Sequence, residues 1–354
     1  MAFTPPQWPD DVTWRPAPTS PPVDQLWRPP SAPPAVPAPH SAALATNPVA
    51  AAKPAGRELA LAGGLLLLSV GVHVAAMFPV YTASPPASVV SMPYEMAEYI
   101  CLAVGWLVAG LLVLSRVSVR GGVALGAGIA AVELGFLITD LAASVQASGR
   151  GTAGLWLAFA ALGLGGAGVL LGASILPTGA PRLRPFNQTV DARAVMTVLA
   201  AVLAVAAFLP SWDKYEVLNS AGHTTTVTLG NAFAQPAGVM AGELVAALAL
   251  GVIAIAGAFW APLSVGAWMT AGVLVALSSQ LISAAVQVSQ PVSTTVAGQP
   301  ATVSLTWFWA LDVAAAVALA GLALWSGLAS RGTSSQTTSA PARRNWAGTT
   351  TGRL

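Results

Sequence analysis

The sequence predicts an all-α integral membrane protein with eight transmembrane helices, built as two tandem four-helix units and carrying possible small extracytoplasmic β-hairpins. Three observations predict it. Only 28 of 354 residues are Asp, Glu, Lys or Arg, 8% of the chain, against about a quarter in soluble domains. Mean hydropathy is +0.70, which excludes a mostly disordered chain. Eight apolar segments approach the roughly 20 residues that a helix needs to cross a hydrocarbon core of about 30 Å. A soluble enzyme is thereby excluded as the default, and a single cysteine, Cys101, excludes a disulfide-stapled secreted fold.

In chain order, residues 1–56 come first and hold 15 of the 28 prolines. They lack the aliphatic periodicity of a packed segment, so a disordered, Pro-rich cytoplasmic tail with polyproline II character is expected. Trp14-Arg15-Pro16 recurs there as Trp27-Arg28-Pro29, a repeated element suited to a cytoplasmic partner. The first four-helix unit (57–176) is expected to hold spans at about 59–81, 95–115, 122–146 and 153–176. The first span starts too late, and after too polar a leader, for a cleavable signal. A cytoplasmic linker (177–193) leads to the second unit (194–330), with spans at about 194–212, 237–260, 263–288 and 306–329. Residues 331–354 form a second disordered cytoplasmic tail, whose Arg343-Arg344-Asn345-Trp346 suits an anionic membrane surface.

The outer loops of the second unit are longer than those of the first. His223 to Leu229, Val292 to Val296 and Ala301 to Leu305 are rich in Thr and Val. Around a Gly298-Gln299-Pro300 turn they read either as strands or as ordinary polar loops. Basic residues set the orientation: thirteen lie on the side of the tails, and only Arg150 and Lys214 on the other. The expected location is the inner (plasma) membrane with both termini cytoplasmic.

The duplication rests on three landmarks in the same order. Ala75-Ala76-Met77-Phe78-Pro79-Val80-Tyr81 parallels Ala206-Ala207-Phe208-Leu209-Pro210-Ser211-Trp212. Met96-Ala97-Glu98 parallels Met240-Ala241-Gly242-Glu243, and Ala142 to Gln146 parallels Ser283 to Gln287. Four spans per unit would make the repeats parallel.

Ionisable groups inside spans mark candidate sites. Glu133 is expected near the midplane, with His73, Glu98, Asp140, Glu243 and Asp312 toward the outer side. His73 is placed to partner Glu98 or Asp140. Two readings follow: a proton or cation path centred on Glu133, or hydrogen-bonded structural groups, with Glu98 and Glu243 at helix N-termini. No phosphate loop, His-Glu-x-x-His motif or cysteine pair occurs in the sequence, so no catalytic residues, cofactor or metal centre is expected. Four arginines in the C-terminal tail are too few for nucleic-acid binding.

The Ala, Gly and Pro richness, the Trp-bearing Pro-rich tail and the Ala-Val-Leu helices resemble the conserved multi-pass membrane proteins of mycobacteria and related actinobacteria. That resemblance is one of style across the whole chain and implies the cell envelope as compartment. The function expected is a non-enzymatic accessory or scaffold protein. Its partners would be the lipid bilayer and membrane or cytoplasmic proteins. The alternative is a small-solute or proton-coupled transporter with its site around Glu133.

Overall fold

The computed structural model describes residues 56–83, 86–176, 182–183, 192–218, 224–228, 232–261, 263–289, 294–296 and 299–336. These are mostly helical. Seven helices are long and apolar enough to cross a membrane, which makes this a multi-pass membrane architecture. The eighth apolar helix is shorter, at 17 residues.

Helix α1 (Gly56–Ala76) ends before Pro79, and the chain continues into a small hairpin of β1 (Val80–Ala83) and β2 (Pro86–Ser88). The sequence pattern suggests only a short plain loop there. Pro93, whose fixed φ suits the first helical position, opens α2 (Pro93–Leu114). The tight turn to α3 (Val119–Ser148) puts Arg116 at φ 59°. Ser118 then caps α3 by accepting from the Gly121 amide at 3.2 Å. Gly149, at φ 73°, ends α3 in the left-handed conformation that glycine adopts without strain. Helix α4 (Ala153–Ser174) completes the first half.

A two-residue strand β3 (Arg182–Leu183) precedes α5 (Ala192–Phe208). Strands β4 (Asp213–Leu218) and β5 (Thr224–Thr228) follow, then α6 (Ala237–Phe259), and β6 (Trp260–Ala261), which pairs with β3. Helix α7 (Leu263–Ser289), strands β7 (Thr294–Val296) and β8 (Gln299–Leu305), and α8 (Trp307–Gln336) end the described chain. The loops that follow α5 and α7 form one antiparallel sheet in the order β5-β4-β8-β7. Two hairpins join through β4 and β8, with Tyr215 opposite Val303. Hairpins alone are marginal in water, and pairing into four strands supplies the missing ladder bonds. Strand β4, Asp213 to Leu218, was not foreseen, because its charged residues interrupt the Thr/Val pattern that marked the others.

Helix α1 packs on α2 and α4, and α3 on α2 and α4. In the second half α5 packs on α6 and α8, and α7 on α6 and α8. Helix α3 is the hub: it also packs on α6 and α7, and α2 packs on α7. Its apolar stretch is 72% buried, against 22% for that of α8. Lipid gives no hydrophobic drive between helices, so close crossings need small residues. At the α3–α7 crossing a Cβ on Gly128 would lie 2.9 Å from the Val273 amide nitrogen, and one on Gly272 would lie 2.9 Å from that of Ile129. A Cβ on Gly135 would meet Ala246 Cα at 2.7 Å, fixing α3 against α6 in the same way.

Candidate polar site in the helical bundle

The first half gathers its ionisable groups where α1, α2 and α3 meet. Glu133 stands 14 residues along α3, about 21 Å from its N-terminal end at 1.5 Å per residue. It is 1% exposed, as is His73 from α1, and Trp106 from α2 is fully buried. The His73 Nε2 to Glu133 Oε1 distance is 2.6 Å, and the Trp106 indole N–H donates to Glu133 Oε2 at 2.9 Å. His73 Nδ1 lies 3.2 Å from the Ser69 carbonyl oxygen. That oxygen can only accept, so Nδ1 carries a hydrogen and Nε2 faces the carboxyl group. Ser69 in turn donates its hydroxyl to the Ala161 carbonyl at 2.8 Å, tying α1 to α4.

The partner of His73 is therefore Glu133, and neither Glu98 nor Asp140, the two partners anticipated from sequence. Helical position explains the difference. Successive turns of α1 bury Leu59, Ala62, Leu66, Ser69, His73 and Ala76 on one face, and that face meets the bundle interior where α3 presents Glu133. Depth estimates from apolar run lengths do not resolve which face a side chain occupies.

Glu98 is also buried, one turn into α2, and accepts from the Gln280 side-chain amide of α7 at 2.5 Å. This bond crosses between the two halves. Asp140 of α3 accepts from the Tyr81 hydroxyl at 2.5 Å. Tyr81 is positioned from two sides: Thr152 donates to its backbone carbonyl at 2.6 Å, and the Tyr99 ring meets its ring edge to face at 5.5 Å. Burial, and then the Asp140 carboxyl, push the Tyr81 phenol well above its ordinary range, so Tyr81 remains a hydrogen-bond donor throughout the accessible pH range.

A cavity of about 270 Å³ opens beside Asp140, walled by Phe136, Trp212, Asp213, Glu243, Gln280 and Gln287. It brings Asp140 and Glu243 together. The Phe136 and Phe208 rings stack at 6.2 Å, and Trp212 meets Phe208 edge to face at 5.6 Å. Asp213, at the start of β4, has one carboxyl oxygen buried without a hydrogen-bond partner among the described residues. Burial raises its carboxyl above the usual range. Tyr215 is raised by burial and by Asp213.

Asp312 is separate from these groups. It is fully buried on α8, and neither carboxyl oxygen has a hydrogen-bond partner among the described residues. Trp14, Arg15, Pro16, Trp27, Arg28 and Pro29 lie outside the described residues. Among the described residues no group of three His, Cys, Asp or Glu side chains is arranged to hold a metal.

Sequence reasoning missed Trp106, Tyr81, Tyr99 and Gln280 as partners. One signal was available: Trp in spanning helices concentrates at the membrane interfaces, and Trp106 lies in the middle of α2. The chain matches no family model, no curated protein and no solved structure.

Proposed function

We propose that this chain is a non-enzymatic accessory protein of the cell-envelope membrane, with both termini on the cytoplasmic side, that holds partners through its bundle, outer sheet and Trp-Arg-Pro tail. One observation carries the reading. Three carboxyl groups of the site, Glu133, Glu98 and the half-buried Asp140, are each matched to a donor on another element: Glu133 to α1 and α2, Glu98 to α7, and Asp140 to β1, while Asp213 keeps one carboxyl oxygen without a partner among the described residues. Groups engaged in this way fasten segments to one another, whereas a reaction centre leaves a nucleophile or base facing a substrate.

The tandem reading has support of the same kind. Exchanging α1 with α5, α2 with α6, α3 with α7 and α4 with α8 leaves the set of packed helix pairs unchanged. Gly128 and Gly272 stand 144 residues apart, as do Ile129 and Val273. At the crossing Gly128 approaches Val273 as Gly272 approaches Ile129. This pattern fits a pseudo-two-fold axis at the α3–α7 crossing, along the membrane normal.

The test is a cross-linked pull-down with the full chain, with the chain lacking residues 1–56, and with an unrelated multi-pass control. Specific partners are expected, with a cytoplasmic subset lost on truncation. Identical partner sets would remove the tail from the proposal, and no partner beyond the control's would overturn the accessory role. The His73–Glu133 contact favours a second reading, a proton-coupled or small-solute transporter. In proteoliposomes, flux that survives Glu133→Gln unchanged would refute that site.

A further inference from the structure

The cavity of about 270 Å³ beside Asp140 lies where α3 of the first half meets α6, α7 and the chain that follows α5. Asp140, Asp213 and Glu243 all line it, and among the described residues no Lys, Arg or His does. Lys214 is the nearest cation in sequence. Strand side chains alternate between faces, so it leaves Asp213 for the other face of β4, where it meets Glu216 at 3.3 Å. One carboxyl oxygen of Asp213 is buried without a hydrogen-bond partner among the described residues.

Carboxyl groups by themselves select no ligand; the rest of the wall does. Its hydrogen-bond donors are turned into the protein. The Thr139 hydroxyl donates to the Gly135 carbonyl at 3.2 Å, the Ser211 hydroxyl to the Asp213 backbone carbonyl at 3.0 Å, and the Trp212 indole N–H to the Ala207 carbonyl at 3.0 Å. The Gln280 amide nitrogen is turned to Glu98 at 2.5 Å, which leaves its carbonyl oxygen uncommitted. What these residues offer the cavity is acceptors, together with the rings of Phe136, Phe208 and Trp212.

Such a wall repels an anion, and it is short of the donors that a neutral polyol needs for its hydroxyl oxygens. A metal ion needs several ligands converging at about 2.0–2.6 Å, and among the described residues no three His, Cys, Asp or Glu side chains are so arranged. A cation of diffuse charge requires no such convergence, because carboxylates attract it at longer range and aromatic faces hold it within about 6 Å. The volume lies just under the roughly 300–1,000 Å³ of pockets that enclose drug-sized ligands, so the ligand is a small one. We propose that this cavity binds a small organic ammonium ion, its charge facing Asp140, Asp213 and Glu243 and its alkyl groups against Phe136, Phe208 and Trp212. The site shares no residue with the His73–Trp106–Glu133 cluster and does not depend on the accessory role.

The test is equilibrium binding of tritiated choline to the full chain in detergent micelles. Binding should saturate, and unlabelled choline or ethanolamine should displace the label. The uncharged tert-butyl analogue of choline has the same shape and should need a roughly tenfold or greater higher concentration, equivalent to about 1.4 kcal/mol. Asp213→Asn and Glu243→Gln should each weaken choline roughly tenfold, and Trp212→Leu roughly threefold or more. Asp213→Asn removes a carboxyl group with an unpartnered buried oxygen, so the loss of binding should come without loss of the fold, as read by the melting temperature in the same micelles. Absence of saturable binding overturns the proposal. So does equal competition by the uncharged analogue, which would mark an apolar pocket, or an affinity unchanged in both carboxyl variants.

Discussion

Replacing Glu133 separates hydrogen bonding from charge, because the geometry predicts opposite outcomes for two substitutions. Glu133 makes two contacts in a fully buried setting, with His73 Nε2 at 2.6 Å and with Trp106 Nε1 at 2.9 Å. With Nδ1 of His73 holding a hydrogen against the Ser69 carbonyl, one further proton is shared between Nε2 and the carboxyl group. The pair is therefore neutral overall whichever atom holds that proton. Glutamine reproduces this pattern: its carbonyl oxygen accepts from Trp106, and its amide donates to a neutral Nε2. Glu133→Gln should cost under about 1.5 kcal/mol, within the range of a single hydrogen bond. Glu133→Ala leaves the His73 and Trp106 groups buried without partners, at about 1–3 kcal/mol each, and opens a cavity besides. A loss of about 3–5 kcal/mol is expected. The assay is reversible unfolding in detergent micelles followed by fluorescence, in a double-mutant cycle with His73→Ala. Interhelical pairs in membranes have coupled by about 0.6 kcal/mol on average and about 1.7 at most, and this fully buried pair should lie at the upper end. A Gln variant as unstable as the Ala variant, or a coupling near zero, would refute the reasoning.

Two further predictions concern the frame around that site. Gly128→Val would put a side chain where a Cβ alone comes within 2.9 Å of the Val273 amide nitrogen, so α3 and α7 must separate. A stability loss of about 1–3 kcal/mol or more is expected in the same micelle assay, and wild-type stability would contradict the close crossing. Asp213 has a carboxyl raised by burial, so the folded state holds its proton at pH values where the unfolded chain has released it. Its contribution to stability is therefore fully present below the ordinary carboxylate range and is lost as pH rises through the raised folded value. Asp213→Asn should flatten the pH dependence of the melting temperature over that window and raise it at neutral pH; an unchanged profile would count against it.

What was legible in the sequence follows from the bilayer. Apolar length fixes a helix that must satisfy its backbone internally, so the seven long helices lie within a few residues of the expected spans. The Pro79 and Pro210 motifs both fall just beyond helix ends, because proline cannot continue the hydrogen-bond ladder. The strands with Thr and Val enrichment were legible only as one of two alternatives, the other being polar loops, and β4 was not legible at all: its Asp213-Lys214-Tyr215-Glu216 run draws its strand state from pairing with β5 and β8 on either side. Glu133 stood out because a carboxyl in a span is costly. Its partners did not, because His73 and Trp106 are 60 and 27 residues away in sequence, and only the rotation of α1 and α2 about their axes brings them to it. Hydropathy reports which segments cross the membrane and carries almost no information on that rotation.

The comparison between halves sharpens what the polar cluster is for. On the proposed duplication, the Pro79–Pro210, Glu98–Glu243 and Gly128–Gly272 correspondences carry His73, Trp106 and Glu133 onto Ala204, Gly251 and Leu277, and the Ala142–Ser283 landmark, three residues out of step with Gly128–Gly272, carries Glu133 onto Leu274 instead. All of these positions are buried, and neither leucine offers a polar group. The second half thus packs the same four-helix arrangement with an apolar trio at the matching positions. Packing alone does not demand the His-Trp-Glu cluster, since replacing buried charged groups with apolar ones of similar volume is often neutral or stabilising. What the cluster adds is a proton held between two helices and a directional bond that fixes their rotation, neither of which Ala, Gly and Leu can supply. The Glu133→Gln variant distinguishes these two contributions: it keeps the directional bond and removes the exchangeable proton. If that variant folds and keeps its partners, the cluster is a fastener. If it folds and loses function, the proton is what the cluster is for.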